Sequence, residues 1–258
     1  MKFLKKILII VFKQLDLGSA IAVRLTKITG KSKVPLHPKH FLTEKPWFTA
    51  YIENKDIVLD LGCGNGQNSI KAARFAKQVI GVDLDSRSLK IAKDTSKNLR
   101  IKNIFFQKAN LEKKLLFKNE TFDKIFFLDV LEHLHNRDQI LEEIRRILKP
   151  KGILFIGVPN SQTSWKKLQR SVGISSFSDP DHKIEFSENQ IKNLLKKHGF
   201  KIEYFGYGVY DTPLRGLFDV VGGLSLSIYR ILSQWRKNKA KQNPQEASGF
   251  EIVAENNK

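Results

Sequence analysis

Asp60, Gly62, Gly64 and Gly66 fall within seven residues, at and just past the end of the apolar run at residues 57–61. An apolar strand, then Gly-x-Gly-x-Gly, then a helix makes a turn suited to a nucleotide-like ligand. Glycine lets the backbone turn tightly and approach a ligand, and the helix start offers free N–H groups. Asp60, at the strand's end, can face the cationic amino group of a bound amino acid. Asp83, closing a second apolar run in Gly81-Val82-Asp83, can accept both hydroxyls of a ribose. Strand ends beside a topological switch point are where open α/β sheets bind ligands. The dinucleotide fingerprint would put Gly or Ala at Gln67, so here the third glycine comes one residue early. A purely structural turn is the alternative. For proton transfer the candidates are His133, His135 and His182, because imidazole titrates near neutral pH. Each also has a structural reading, as a cap or an orienting group. Asp129, Glu132, His133 and His135 bunch at a helix start, a grouping common without an ion, so no metal is assigned.

The elements that must carry these residues follow from periodicity. Apolar runs at residues 57–61, 79–83, 104–108, 124–129, 153–158, 200–204 and 250–254 read as seven strands. Between them, residues 68–77, 86–98, 137–148 and 187–197 read as helices. Ser86 is the expected N-cap of the second, and Gly199 the residue that stops the last. Strands alternating with helices predict a doubly wound, mostly parallel, Rossmann-like α/β sheet, since parallel neighbours need crossovers. Residues 1–40 read as a basic N-terminal extension, with nine Lys/Arg against Asp16 alone and an amphipathic helix through Leu4, Ile7, Leu8, Val11, Phe12 and Leu15. A short helix over 41–54 leads into the main domain at 41–258. An apolar, then basic, insertion at about 207–247 precedes the final strand.

Composition narrows the class. The 258 residues carry a formal charge of +19 and a single cysteine, Cys63, which excludes an internal disulfide framework and a Cys-rich zinc site. Lys outnumbers Arg by about three to one, so the charge reads as a solvated surface rather than a nucleic-acid reader built on Arg forks. An anionic membrane surface or an acidic substrate fits that charge better than nucleic acid. No apolar run reaches the length of a membrane span. The apolar run Ile7 to Phe12 is too short for a signal peptide, and Lys13 and Asp16 follow at once. The expectation is a cytoplasmic protein, peripheral on the inner face of the membrane.

Val58-Leu59-Asp60-Leu61-Gly62-Cys63-Gly64-Asn65-Gly66 resembles motif I of the class I S-adenosylmethionine-dependent methyltransferases. Val79-Ile80-Gly81-Val82-Asp83 resembles their ribose-binding strand end. Phe122-Asp123-Lys124-Ile125 with Asp129-Val130-Leu131-Glu132-His133-Leu134 resembles their fourth strand and the loop after it. Leu148-Lys149-Pro150-Lys151-Gly152 and Val158-Pro159-Asn160 resemble the flanks of strand five. Asp181 to Ser187, with Lys197-His198-Gly199-Phe200, resembles the tail of the subgroup holding quinone-biosynthesis O-methyltransferases and many sugar methyltransferases. The resemblance covers about residues 41–206 and the last strand. It implies S-adenosylmethionine as cofactor, held by Asp60, Gly62, Cys63, Gly64, Gly66, Asp83, Leu84, Asn110, Leu111 and Asp129. His182 and His133 are then the catalytic candidates. The acceptor implied is a small or lipid-linked molecule, methylated at a hydroxyl oxygen. Asn110 departs from the subgroup, which carries an acid there; its amide oxygen can still accept from an adenine amino group. Asp129-Val130-Leu131-Glu132 lacks the Pro-Pro-aromatic motif of amino-methylating DNA enzymes. A dinucleotide-dependent oxidoreductase and a non-catalytic binding module are the competing readings.

Overall fold

The computed structural model describes residues 17–33, 35–42 and 46–258. In chain order the elements are α1 (residues 17–28), β1 (Ile57–Leu61), α2 (Gln67–Ala72), β2 (Gln78–Asp83) and α3 (Ser86–Asn98). There follow β3 (Ile104–Lys108), β4 (Phe122–Leu128), α4 (Arg137–Ile147), β5 (Leu148–Pro159) and α5 (Ser164–Ser171). The chain ends with α6 (Glu188–Lys197), β6 (Phe200–Tyr207), α7 (Arg215–Leu224), α8 (Leu226–Gln242) and β7 (Gly249–Asn256). They form two compact units. Of the described residues, one comprises 17–33, 35–42, 160–178 and 207–249; the other comprises 46–159, 179–206 and 250–258.

The second unit holds the sheet, in the order β3-β2-β1-β4-β5-β7-β6. The pairings from β3 to β5 are all parallel. The doubly wound, mostly parallel sheet expected from the sequence is present. Parallel strands are covered on both faces, which is why their sequences are near-continuous apolar runs. Val58, Leu59, Leu61, Ile125, Phe126, Phe127, Phe155 and Ile156 have no exposed surface. Phe48 and Phe155 pack on Phe126, with ring centroids 4.4 and 5.3 Å from it. The strand order reverses between β1 and β4, so a crevice at their carboxyl ends is the topological switch point.

Several boundaries differ from the sequence expectation, each for a local reason. Helix α2 stops at Ala72 instead of running to 77, because the Asn103 amide takes up the carbonyls of Ala73 and Ala76 at 2.8 and 2.9 Å. Asp85, not Ser86, caps α3, accepting from the N–H groups of Arg87 and Ser88. Strand β5 begins at Leu148, with a register irregularity opposite Phe122 and Lys124 and a left-handed Lys151. The expected helix over 41–54 is replaced by two 3-10 turns, Pro38–Phe41 and Trp47–Tyr51, with Pro46 at the cap of the second. Ser187 and Gln190 form the full capping box of α6, and Gly199 ends it in the left-handed region.

The first unit gathers three stretches distant in sequence. The amphipathic helix read over residues 4–15 lies outside the described residues; residues 17–28 are helical. The apolar insertion divides into α7 and α8 at Ser225, whose hydroxyl caps α8. Residues 160–178, unassigned from sequence, join this unit and contain α5. Thr163 caps α5 and donates its hydroxyl proton to Asp211 at 2.7 Å. The sequence signal for α5 was weak because its buried residues are Trp165, Lys166 and Gln169, which form no apolar stripe.

Candidate active site

The glycine loop leaves β1 and enters α2 in an open left-handed curl. Gly62, Gly64 and Gly66 have φ of 72°, 50° and 74°, the region glycine occupies without strain. The fold imposes the outer two: a Cβ at Gly62 would lie 2.5 Å from Val130, and one at Gly66 would lie 2.8 Å from Phe106. At Gly64, apart from its own chain neighbours, no atom lies within 4 Å of where a Cβ would sit. The N–H groups of Gly62 and Cys63 both donate to Val82 O, at 2.8 and 3.0 Å, fixing the loop to the end of β2.

Two carboxylates flank this loop, and one of them, Asp83, bonds it directly. Asp60 is buried, and its Oδ2 accepts from the Ser69 hydroxyl in the first turns of α2 at 2.5 Å. Burial pushes its carboxyl up to about 7, a shift that the Ser69 hydrogen bonds only partly oppose. Asp83 is half-buried, and its two oxygens accept one backbone N–H each, from Gly64 and Asp85, both at 2.8 Å. A carboxylate has about four acceptor sites, so Asp83 keeps capacity for a ligand. The Cys63 thiol is buried and pushed well above its ordinary range by burial and by Asp60 and Asp83, which makes it a packing group and not a nucleophile.

The loop after β4 supplies the other side groups. Asp129 takes a left-handed φ of 57° and is exposed, with its N–H bonded to Gly157 O. The chain then makes a 3-10 turn, Leu131–His133, that buries Glu132. Segment 179–186 docks on this turn through the N–H groups of Lys183 and Ile184, which donate to Glu132 O at 2.8 and 3.3 Å. The rings of His133 and His182 thereby meet edge to face, 4.7 Å apart. His182 is buried; its Nδ1 lies 3.0 Å from Glu185 Oε1 and its Nε2 lies 3.9 Å from Glu132 Oε1. Glu132, His133 and His182 each bring a ligand-type atom within 4.8 Å of the others, a grouping that can hold an ion. From the sequence no metal is assigned, on a set of Asp129, Glu132, His133 and His135 that does not include His182. His135 stands apart and exposed; its backbone N–H and that of Asn136 are taken up by Glu112.

Of the remaining expected residues, Leu111 is buried and Leu84 is 58% exposed beside Asp83. Asn110 is half-buried, and its Oδ1 accepts from the Glu112 N–H at 2.9 Å. Sequence reasoning missed Ser69 and Glu185. Glu185 was legible as a carboxylate three residues after His182, but only the docked loop turns it onto the ring. A concavity of about 680 Å³ lies instead along α6 and β6, lined by Lys192, Lys196, Phe200, Tyr204 and Phe205. None of the expected site residues lines it, so the site is defined by its chemistry.

Residues 52–201 match the methyltransferase-domain family. An uncharacterized protein of Methanocaldococcus jannaschii is 29% identical over 67% of this chain and 73% of its own. A ubiquinone biosynthesis O-methyltransferase of Colwellia psychrerythraea is 25% identical, over 62% of this chain and 66% of its own. The crystal structure of a SAM-dependent methyltransferase from Methanosarcina mazei shares the fold, with a TM-score of 0.57 at 22% identity, over 82% of this chain and 97% of that one. A sheet with its glycine loop at the switch point defines a class of ligand-binding α/β proteins. Within that class the chain belongs to the methyltransferase-domain family.

The raised Asp60 carboxyl makes a prediction about stability. In the unfolded chain it ionises near 3.8, and in the fold near 7, so the neutral form is favoured by folding. Its stabilising contribution is complete below about pH 4, falls as pH rises to about 7, and is constant above. Asp60→Asn, which keeps the neutral shape, should therefore gain on the unliganded wild type by about 1 kcal/mol or more between pH 5 and pH 8. Thermal unfolding of both proteins at the two pH values checks this; a difference that does not change with pH contradicts it.

Proposed function

We propose that the glycine loop holds S-adenosylmethionine and that the enzyme methylates a hydroxyl oxygen on a small or lipid-linked acceptor. A quinone precursor or a glycan would be suitable. The observation that carries the reading is a buried carboxylate, Asp60, under a loop whose middle glycine has open space where a side chain would stand. A cationic amino group and a close-lying ligand would complete both. Asp83 would take the ribose hydroxyls on its remaining acceptor sites, and Asn110 and Leu111 the adenine. Asp129, Cys63 and Leu84 would line the same ligand. When bound, the cofactor supplies an electrophilic methyl group on a cationic sulfur. The protein's part is to align the acceptor and to receive its proton.

For that proton, His182 Nε2 is the proposed site, with His133 beside it. Glu185 on Nδ1 favours the tautomer with its proton on Nδ1, leaving the Nε2 lone pair to act as base. A second reading is favoured by the grouping of Glu132, His133 and His182: a divalent ion there would acidify the acceptor hydroxyl in place of the base. The relatives named as quinone O-methyltransferases support a hydroxyl acceptor. The amphipathic, basic N-terminal sequence supports work at the inner face of a membrane.

Two experiments test this function. Gly64→Val should abolish S-adenosylmethionine binding in calorimetry while circular dichroism stays native, and Asp83→Ala should weaken it at least tenfold, as expected for about 1.5–3 kcal/mol per hydrogen bond to a charged group. Normal binding by both variants overturns the cofactor site. Labelled-methyl transfer to the lipid and aqueous fractions of a cell extract tests turnover. His182→Ala should lose about 10²-fold in rate with cofactor affinity kept. Unchanged turnover after chelation supports the base, whereas loss restored by a divalent cation supports the ion. Near-wild-type turnover in His182→Ala and His133→Ala alike removes both.

A further inference from the structure

The helices of the first unit are built inside out. Helix α1 buries Gly18, Ala22 and Thr26 and exposes Leu17, Ile21 and Ile28. Helix α7 buries Gly216, Asp219, Gly222 and Gly223 and exposes Leu217 and Leu224. Helix α8 buries Tyr229, Ser233, Arg236 and Ala240 and exposes Ile228, Ile231 and Trp235. In a helix whose apolar side meets a protein core the assignment is the reverse. Packing is close at the glycines: a Cβ on Gly18 would lie 2.4 Å from the Gly216 backbone, and one on Gly223 2.7 Å from Leu25. Buried among the helices, Asp219 accepts hydrogen bonds from Ser19 at 2.6 Å and Tyr229 at 2.8 Å, with His37 Nε2 at 3.2 Å. Small and polar residues inside with apolar residues outside is the arrangement of helices whose outer faces meet lipid.

Charge says which lipid. Among the described residues of this unit the acids are Asp211, Asp219 and Glu246. Thr163 engages Asp211, the Ser19 cluster engages Asp219, and Ser164 binds both oxygens of Glu246. The cations Arg24, Lys27, Arg230, Lys237 and Lys241 are exposed. At 100° per residue, Arg230, Lys237 and Lys241 lie on the flank of α8 between its buried stripe and its apolar one. No helix of the described residues is long and apolar enough to cross a membrane. An apolar face with cationic shoulders and, among the described residues, no free carboxylate fits the headgroup region of an anionic bilayer.

We propose that α1, α7 and α8 form a docking surface for anionic lipid bilayers, with the stripe Ile228, Ile231 and Trp235 entering the interface. It rests on the preceding reading only for the lipid-linked nature of the acceptor. The test is flotation of the full chain with phosphatidylcholine vesicles, with and without phosphatidylglycerol. Wild type should float with the anionic vesicles and lose that association at high salt. Ile228→Gln/Ile231→Gln should bind them at least about tenfold less with cofactor affinity unchanged, because both residues are already exposed. The proposal is overturned if wild type stays with the unbound fraction at low salt, or if the double variant floats as well as wild type. It is equally overturned if wild type is a dimer that the substitutions dissociate and no vesicle binding occurs, since the face then joins two copies. Flotation by a protein that transfers no methyl group upholds the surface and counts against the methyl-transfer reading alone.

Discussion

The site depends on one costly arrangement, a carboxylate taken out of water beneath the first turn of a helix. A buried charge needs a partner or a proton. Asp60 has the Ser69 hydroxyl, and its raised carboxyl shows that this is insufficient compensation. The loop above it is held without using that charge. Val82 O takes two of the loop's N–H groups and Asp83 takes a third. Both contacts require the parallel register in which Asp60 lies beside Gly81 and Leu61 beside Val82. The sheet's regularity thus sets the position of an irregular loop, and leaves beside it a buried carboxyl whose charged form a cationic ligand would stabilise.

The side proposed to handle the proton is assembled differently. His133 comes from the turn after β4 and His182 from a segment that follows β5, with residues 160–178 belonging to the other unit. Backbone donors of Lys183 and Ile184 on a single carbonyl, that of Glu132, bring them together. The site's two halves therefore differ in kind. The glycine loop is local in sequence and fixed by strand pairing, whereas the imidazole pair depends on one long-range docking of a loop.

That difference explains what the sequence could and could not reveal. Strands buried on both faces announce themselves as apolar runs, and three glycines after Asp60 leave little choice of turn, so the sheet and the loop were legible. Helix ends were misplaced where a distant side chain decides them, as Asn103 does for α2. The first unit was hidden for a physical reason: its helices bury Gly18, Thr26, Asp219 and Arg236 and expose Ile21 and Ile231, so apolar periodicity marks the outside. Ser69 and Glu185 carry no signal of their own until Asp60 and His182 are placed.

In the proposed site Asp60 answers the positive charge of the bound cofactor. Calorimetric titration with S-adenosylmethionine near pH 6.5, in two buffers of different ionisation enthalpy, counts the protons exchanged on binding. An α-amino group is already protonated there, its ordinary value being about 7.7–8.0, while Asp60, near 7, is largely neutral in the free protein. The wild type should show net proton release, and Asp60→Asn weaker binding with that release removed. Equal proton counts in the two proteins, or tight binding that Asp60→Asn leaves unchanged, would contradict it.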